Sequence, residues 1–187
     1  TIAALVSKTP VDTISGTFAG RDAETLEVTV GNNTYAAGTF MGFTRAGANW
    51  SLKLPEPLTD GVHAIAVSTA DKAGNVSSAA GTIVVDSIAP KAPAAVTIAS
   101  KGPVSELSGA WDESGDHQLA VSVGRDTYNF RSFMGLTSVN KIWKLVLPEP
   151  LGDGEHAVNV TTTDKAGNVS ESTGSVLVDG TPPAAPT

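Results

Sequence analysis

The sequence predicts an all-β chain made of two tandem β-sandwich domains of about seven strands each. Three observations carry this. The heptapeptide Asp-Lys-Ala-Gly-Asn-Val-Ser occurs at Asp71–Ser77 and again at Asp164–Ser170, and the same 93-residue offset holds along the chain without a gap. A repeat of that length decides the architecture before any local signal does. Apolar and polar residues alternate with period two, and no helical period is visible. Gly, Asn, Asp and Pro clusters punctuate the alternation at short, regular intervals.

The offset pairs Trp50 with Trp143, Leu54–Leu58 with Leu147–Leu151, His63 with His156 and Asp86 with Asp179. It sets the domains at 1–89 and 90–187. In the first domain, strands are expected near 1–6, 13–18, 25–30, 33–37, 48–54, 62–70 and 79–86. The segment Phe40-Met41-Gly42 is a candidate for a further short strand. Leu26–Val30, Trp50–Leu54, Ala64–Ser68 and Thr82–Val85 show the alternation most clearly, and Gly31-Asn32-Asn33 reads as a turn. Pro55 and Pro57 cannot donate to a ladder, so Pro55–Gly61 is expected to be a corner rather than a strand. Adding 93 gives the second domain. Seven short strands in this order are the signature of an immunoglobulin-like sandwich. The boundary Asp86–Pro93 is proline-rich and reads as a stiff linker. Asp179–Pro186 reads as the same linker again, and residue 1 falls inside the repeat pattern, so a piece of a longer array is expected.

Composition narrows the function classes. The net charge is −7 and the sequence contains no cysteine. A carboxylate surplus argues against nucleic acid or an anionic membrane surface as partner, since both need clustered Lys and Arg. Lack of cysteine fits a cytosolic protein or a bacterial secreted one. No apolar run reaches the ~18–20 residues that cross a bilayer, and no signal peptide is visible. There is no nucleophile elbow, phosphate loop or His-rich metal spacing, so no enzyme is expected. Trp50 and Trp143 are expected in the cores. Trp111 is expected at the domain junction or exposed, and His63 and His156 at corners.

Strand order places acidic residues at the module ends. Asp86 closes the last strand of domain 1, and the chain then enters domain 2 at the end carrying the loops 111–116 and 164–168. Asp86, Asp112, Glu113, Asp116, Asp164 and Asn168 are therefore expected to converge at the junction. Clustered carboxylates repel unless a cation neutralises them. An all-oxygen donor set favours Ca²⁺. Half-sites with absent neighbours are expected at Asp22, Glu24, Asp71 and Asn75, and at Asp179. The plainer alternative is that Asp-x-x-Gly-Asn is only a turn capped by its own side chains.

The combination of Ser15-Gly16-Thr17, an acidic loop, Trp50-Ser51-Leu52, Leu58–Gly61, Asp71–Asn75 and Val85–Pro90 resembles the bacterial immunoglobulin-like repeats of giant surface adhesins. Those adhesins are type I-secreted proteins of Gram-negative bacteria, active in biofilm formation and host attachment. The resemblance implies an extracellular, cell-surface extender repeat stiffened by Ca²⁺ at domain junctions. By motif match that role falls on Asp86, Asp164 and Asn168, and on Asp71, Asn75 and Asp179 for absent neighbours. The partners it implies are neighbouring repeats of the same chain, other adhesin molecules or a host surface. The fragment itself is expected to be monomeric, without nucleic-acid binding or membrane insertion. Two other readings stay open: a carbohydrate- or receptor-binding module, and an accessory domain of a secreted enzyme.

Overall fold

The computed structural model describes residues 5–18, 25–114 and 116–185. Among them every regular element is a strand. The chain divides into two units, Thr1–Ile88 and Ala89–Thr187.

Unit 1 contains β1 (Leu5–Ser7), β2 (Val11–Thr17), β3 (Thr25–Val30), β4 (Asn33–Ala36), β5 (Phe43–Ala46), β6 (Asn49–Leu58), β7 (Gly61–Ala70) and β8 (Val76–Val85). Unit 2 repeats them as β9 (Thr97–Ser100), β10 (Val104–Ala110), β11 (Gln118–Val123), β12 (Asp126–Asn129), β13 (Leu136–Val139), β14 (Ile142–Leu151), β15 (Gly154–Thr163) and β16 (Val169–Val178). Each unit is a sandwich of a five-stranded and a three-stranded sheet. In unit 1 the orders are β1-β8-β7-β3-β4 and β2-β6-β5; unit 2 matches them. All neighbours are antiparallel except the first and last strands of a unit, which run parallel.

The alternation read from the sequence becomes the core. Leu26, Val28 and Val30 of β3, Trp50, Leu52 and Leu54 of β6, Ile65 and Val67 of β7, and Ile83 and Val85 of β8 all point inward. Their counterparts in unit 2 include Leu119, Val121, Trp143, Leu145, Val158, Val160, Val176 and Val178. Each such side chain contributes about 1.5–3 kcal/mol relative to exposure. The close fit is visible at Gly16 and Gly109. A Cβ there would come within 2.8 Å and 2.9 Å of the Trp50 and Trp143 rings, respectively.

Three expectations need correction. Phe40-Met41-Gly42 is a turn, and the additional strand is Phe43–Ala46 just after it, which makes eight strands per unit among the described residues. The prolines do not form a corner: β6 continues through Pro55 and Pro57 to Leu58, and the turn comes at Thr59 and Asp60. A bulge explains this. Val11 pairs with Leu58 but Thr13 pairs with Lys53, so two steps on β2 face five on β6. The other edge of β6 is paired with β5 only up to Leu52. Pro55 and Pro57 therefore sit where no ladder bond is asked of them. The same bulge recurs between Val104↔Leu151 and Glu106↔Val146. Third, Trp111 is not exposed. It is 3% exposed and belongs to the core cluster of unit 2.

Acidic loops and linker anchors

The repeated loop at Asp71–Asn75 is a closed turn built by its own side chains. The Asp71 Oδ1 accepts from the backbone N–H groups of Ala73 (2.8 Å) and Asn75 (2.9 Å), and its Oδ2 accepts from Asn75 Nδ2 at 2.8 Å. Gly74 N–H donates back to the Asp71 carbonyl, in a left-handed conformation (φ 86°) that favours glycine. The second copy has the same geometry. Asn168 gives its N–H and Nδ2 to Asp164 Oδ1 and Oδ2, both at 2.9 Å, and Gly167 has φ 88°.

These bonds set the charge state. The Asn75 side-chain bond, then its backbone bond, holds Asp71 below its ordinary pKa of 3.8. For Asp164 burial pushes the pKa up, but the bonds from Asn168, Ala166 and Gly167 together bring it below 3.8. Both carboxylates are therefore ionised near neutral pH.

The second acidic loop is organised differently. Lys141 Nζ lies 3.0 Å from Asp112 Oδ1 and lowers its pKa. Asn140 (φ 53°) and Lys141 (φ 63°) form a left-handed two-residue hairpin turn between β13 and β14. Asp116 pairs with Lys165 at 3.4 Å. Glu113 Oε2 accepts from Ser138 Oγ, and Ser138 Oγ accepts from Trp111 Nε1, each at 2.8 Å. Among the described residues no three His, Cys, Asp or Glu side chains gather closely enough to hold a metal ion. Asp22 and Glu24 lie outside the described residues.

As donors, these groups fall into two sets. Asp164 is anionic and faces the donors of its own loop, and a carboxylate has about four lone-pair sites. Asp112 and Asp116 already face ammonium groups, which repel a cation.

The strand ends carry a feature that sequence reasoning missed. Asp86 N–H donates to the Ser7 carbonyl, and its Oδ1 accepts from Ile88 N–H at 3.1 Å. Asp60, in the β6–β7 turn, accepts from Ser87 N–H (2.9 Å) and Ser87 Oγ (2.8 Å). In unit 2, Asp179 Oδ1 accepts from Thr181 N–H at 3.0 Å, and Asp153 accepts from Gly180 N–H at 3.1 Å. Asp60 and Asp153 thus clamp the chain as it leaves each unit. The signal was present in the sequence, since both recur at the 93-residue offset together with Asp86 and Asp179. His63 and His156 close the same turns, with Nε2 at 2.7 Å from the Thr59 carbonyl and 2.8 Å from the Gly152 carbonyl.

None of the ten aromatic side chains stands fully exposed. The tryptophans are buried, and the tyrosines and phenylalanines are buried or half-buried. No helix is long and apolar enough to cross a membrane among the described residues.

Solved structures with similar chain folds include a Ca²⁺-stabilised ice-binding adhesin of an Antarctic bacterium (19% identity, 94% of this chain and 46% of that one, TM-score 0.41). Others are a tetra-tandem repeat from the extending region of a large adhesion protein (20%, 94% and 48%, 0.39) and murine CEACAM1b (10%, 94% and 94%, 0.49). The chain spans about half the length of the two adhesin structures. No curated protein matches in sequence. The family model for the bacterial Ig-like domain matches twice, over residues 7–87 and 105–180. With both halves matched in turn, the chain belongs to the bacterial Ig-like domain family, as two tandem members.

Proposed function

We propose that this chain is an extender segment of a bacterial cell-surface adhesin, and that Ca²⁺ at the junction between its modules stiffens it. Its role is mechanical: to hold an adhesive part away from the cell in attachment and biofilm formation. The supporting observation is where the repeated carboxylates lie. Asp71 and Asp164 cap the loop before the last strand, and Asp86 and Asp179 close that strand. Every one of them belongs to a module end, and among the described residues no repeated pair joins a nucleophile to a base.

The residues with the right chemistry for the junction are Asp86, Asp164 and Asn168. Within unit 2, Ser170 Oγ bonds the Pro90 carbonyl, which fixes the incoming linker two residues along the strand from Asn168. Four residues of chain, at most about 14 Å, separate Pro90 from Asp86. Asp164 is held ionised and oriented by its own turn, so it needs no rearrangement to ligate. Bound Ca²⁺ would supply charge neutralisation between Asp86 and Asp164. Lys141 and Lys165 leave Asp112 and Asp116 as rim charges, and Glu113 serves the Trp111 relay. Extracellular modules of this kind bind Ca²⁺ with Kd of about 10⁻⁴–10⁻³ M.

The buried aromatics speak against a sugar-stacking module, because stacking needs an exposed ring face. The test is small-angle scattering of the 187-residue chain with and without millimolar Ca²⁺, beside Asp86→Ala. Ca²⁺ should narrow the distance distribution to one extended form in the parent only. Identical curves from all samples would overturn the calcium reading. Asp164→Ala should weaken Ca²⁺ binding about tenfold by calorimetry, with both units still folded.

A further inference from the structure

We propose that the edge of β8 over Val76–Gly81 is a docking strip for a proline-spaced linker segment of an adjoining module. Unit 2 shows such a strip filled by the chain's own linker. Ser170 Oγ donates to the Pro90 carbonyl (2.5 Å) and Ser172 Oγ to the Pro93 carbonyl (2.6 Å). Ala94 N–H then reaches the Ala110 carbonyl at 2.8 Å, tying the linker to the opposite sheet as well. Val96 follows, buried at 4% exposure. Its carbonyl passes so close to Gly174 that a Cβ there would lie 1.9 Å from it. Proline has no N–H for a ladder, but its carbonyl still accepts. Strand hydroxyls are suited to that acceptor, and a strand glycine to that close approach.

Unit 1 carries the same strip. β7 pairs with β8 over its whole length, whereas among the described residues the other side of β8 is paired only at Ile83–Val85, by β1. Ser77 stands at the Ser170 position and Gly81 at the Gly174 position. Ser77 is exposed, while Ser170 under Pro90 is half-buried. Ala79 replaces Ser172, so this strip has one hydroxyl fewer. Val76–Gly81 carries no charge, and among the described residues no strand pairs with it on this side; such a neutral strand edge invites pairing with another chain segment. The fitting segment has two prolines three apart. This chain contains two: Pro90 and Pro93, and Pro183 and Pro186 in the matching linker.

The proposal rests on the modular reading of the chain but not on calcium. The test grafts a second copy of the Ser87–Pro93 sequence ahead of Thr1 of the 187-residue chain and works in EDTA. Amide resonances of Val76–Gly81 should move, those of Val169–Gly174 should not, and the first unit should melt higher. On the grafted chain Ser77→Ala should lower the docked-to-undocked ratio about fivefold, and Ala79→Ser should raise it by a similar factor. The proposal is overturned if the strip's resonances stay in place, if a graft with both prolines changed to glycine moves them equally, or if neither Ser77→Ala nor Ala79→Ser has an effect. Because calcium is absent throughout, failure here leaves the scattering result untouched, and the reverse also holds.

Discussion

The two units solve one problem in two ways. At the end of the second strand, unit 1 has Phe18 and unit 2 has Trp111. Phe18 is half-exposed, with the Arg45 guanidinium 4.4 Å over its ring. Trp111 is buried, packs edge-on against Phe130 at 5.5 Å, and passes its N–H to Ser138 and so to Glu113. The substitutions are coordinated. Ala37 stands in unit 1 where Phe130 stands in unit 2, and Arg45 where Ser138 stands. A larger ring requires a ring to pack against and an acceptor for its N–H. A smaller ring is served by a cation above it. The sandwich fixes the position, and neighbours in space then change together.

That contrast can be broken at several points, each read by calorimetry and unit-resolved hydrogen exchange on the whole chain. Trp111→Ala should cost about 3–5 kcal/mol in unit 2. Phe18→Ala, at the same place in unit 1, should cost only about half as much. Equal losses would show that burial at this position does not decide its energy. Gly16→Ala and Gly109→Ala should each cost about 1–3 kcal/mol, because the added methyl meets a core indole ring in both units. A difference between them would mean the shared core is less alike than it looks. Ser138→Ala strands the Trp111 N–H and should cost about 1–2 kcal/mol, whereas Arg45→Ala should cost no more than about 1 kcal/mol.

Acid gives the smallest effect. Asp71, Asp112 and Asp164 have pKa values below 3.8 when folded. Their contribution is therefore complete above that ordinary value and fades as pH falls through the lower folded one. Asp71 and Asp164 are counterparts, but the Asp112–Lys141 pair exists only in unit 2. Exchange below pH 4 should rise somewhat more in unit 2, and Asp112→Asn should remove the difference.

Much of the fold was legible because burial and alternation are the same fact seen twice. Leu26, Val28 and Val30, or Trp143, Leu145 and Leu147, announce their strands by composition alone. The strand through Pro55 and Pro57 was not legible. Proline normally ends pairing, and only the bulge against β2 shows that no bond is missing there. Trp111 was misread because its partners, Phe130 and Ser138, are far away in sequence. The acidic loops were legible as loops, and their capping bonds follow from Asp-x-x-Gly-Asn itself. The lysines that claim Asp112 and Asp116 come from a hairpin turn and a neighbouring loop, which no local pattern links. Asp60 and Asp153 were hidden for a similar reason: each clamps a residue 27 positions away.

One detail of the sheets bears on load. The first and last strands of each unit lie side by side and point the same way. When a chain is pulled by its two ends, such strands are dragged in opposite directions along their own axes. Their bonds then carry tension together instead of opening one after another. Among the described residues the seam joins Leu5–Ser7 to Ile83–Val85 in unit 1 and Thr97–Ser100 to Ser175–Val178 in unit 2, so each unit meets a pull along one shared edge.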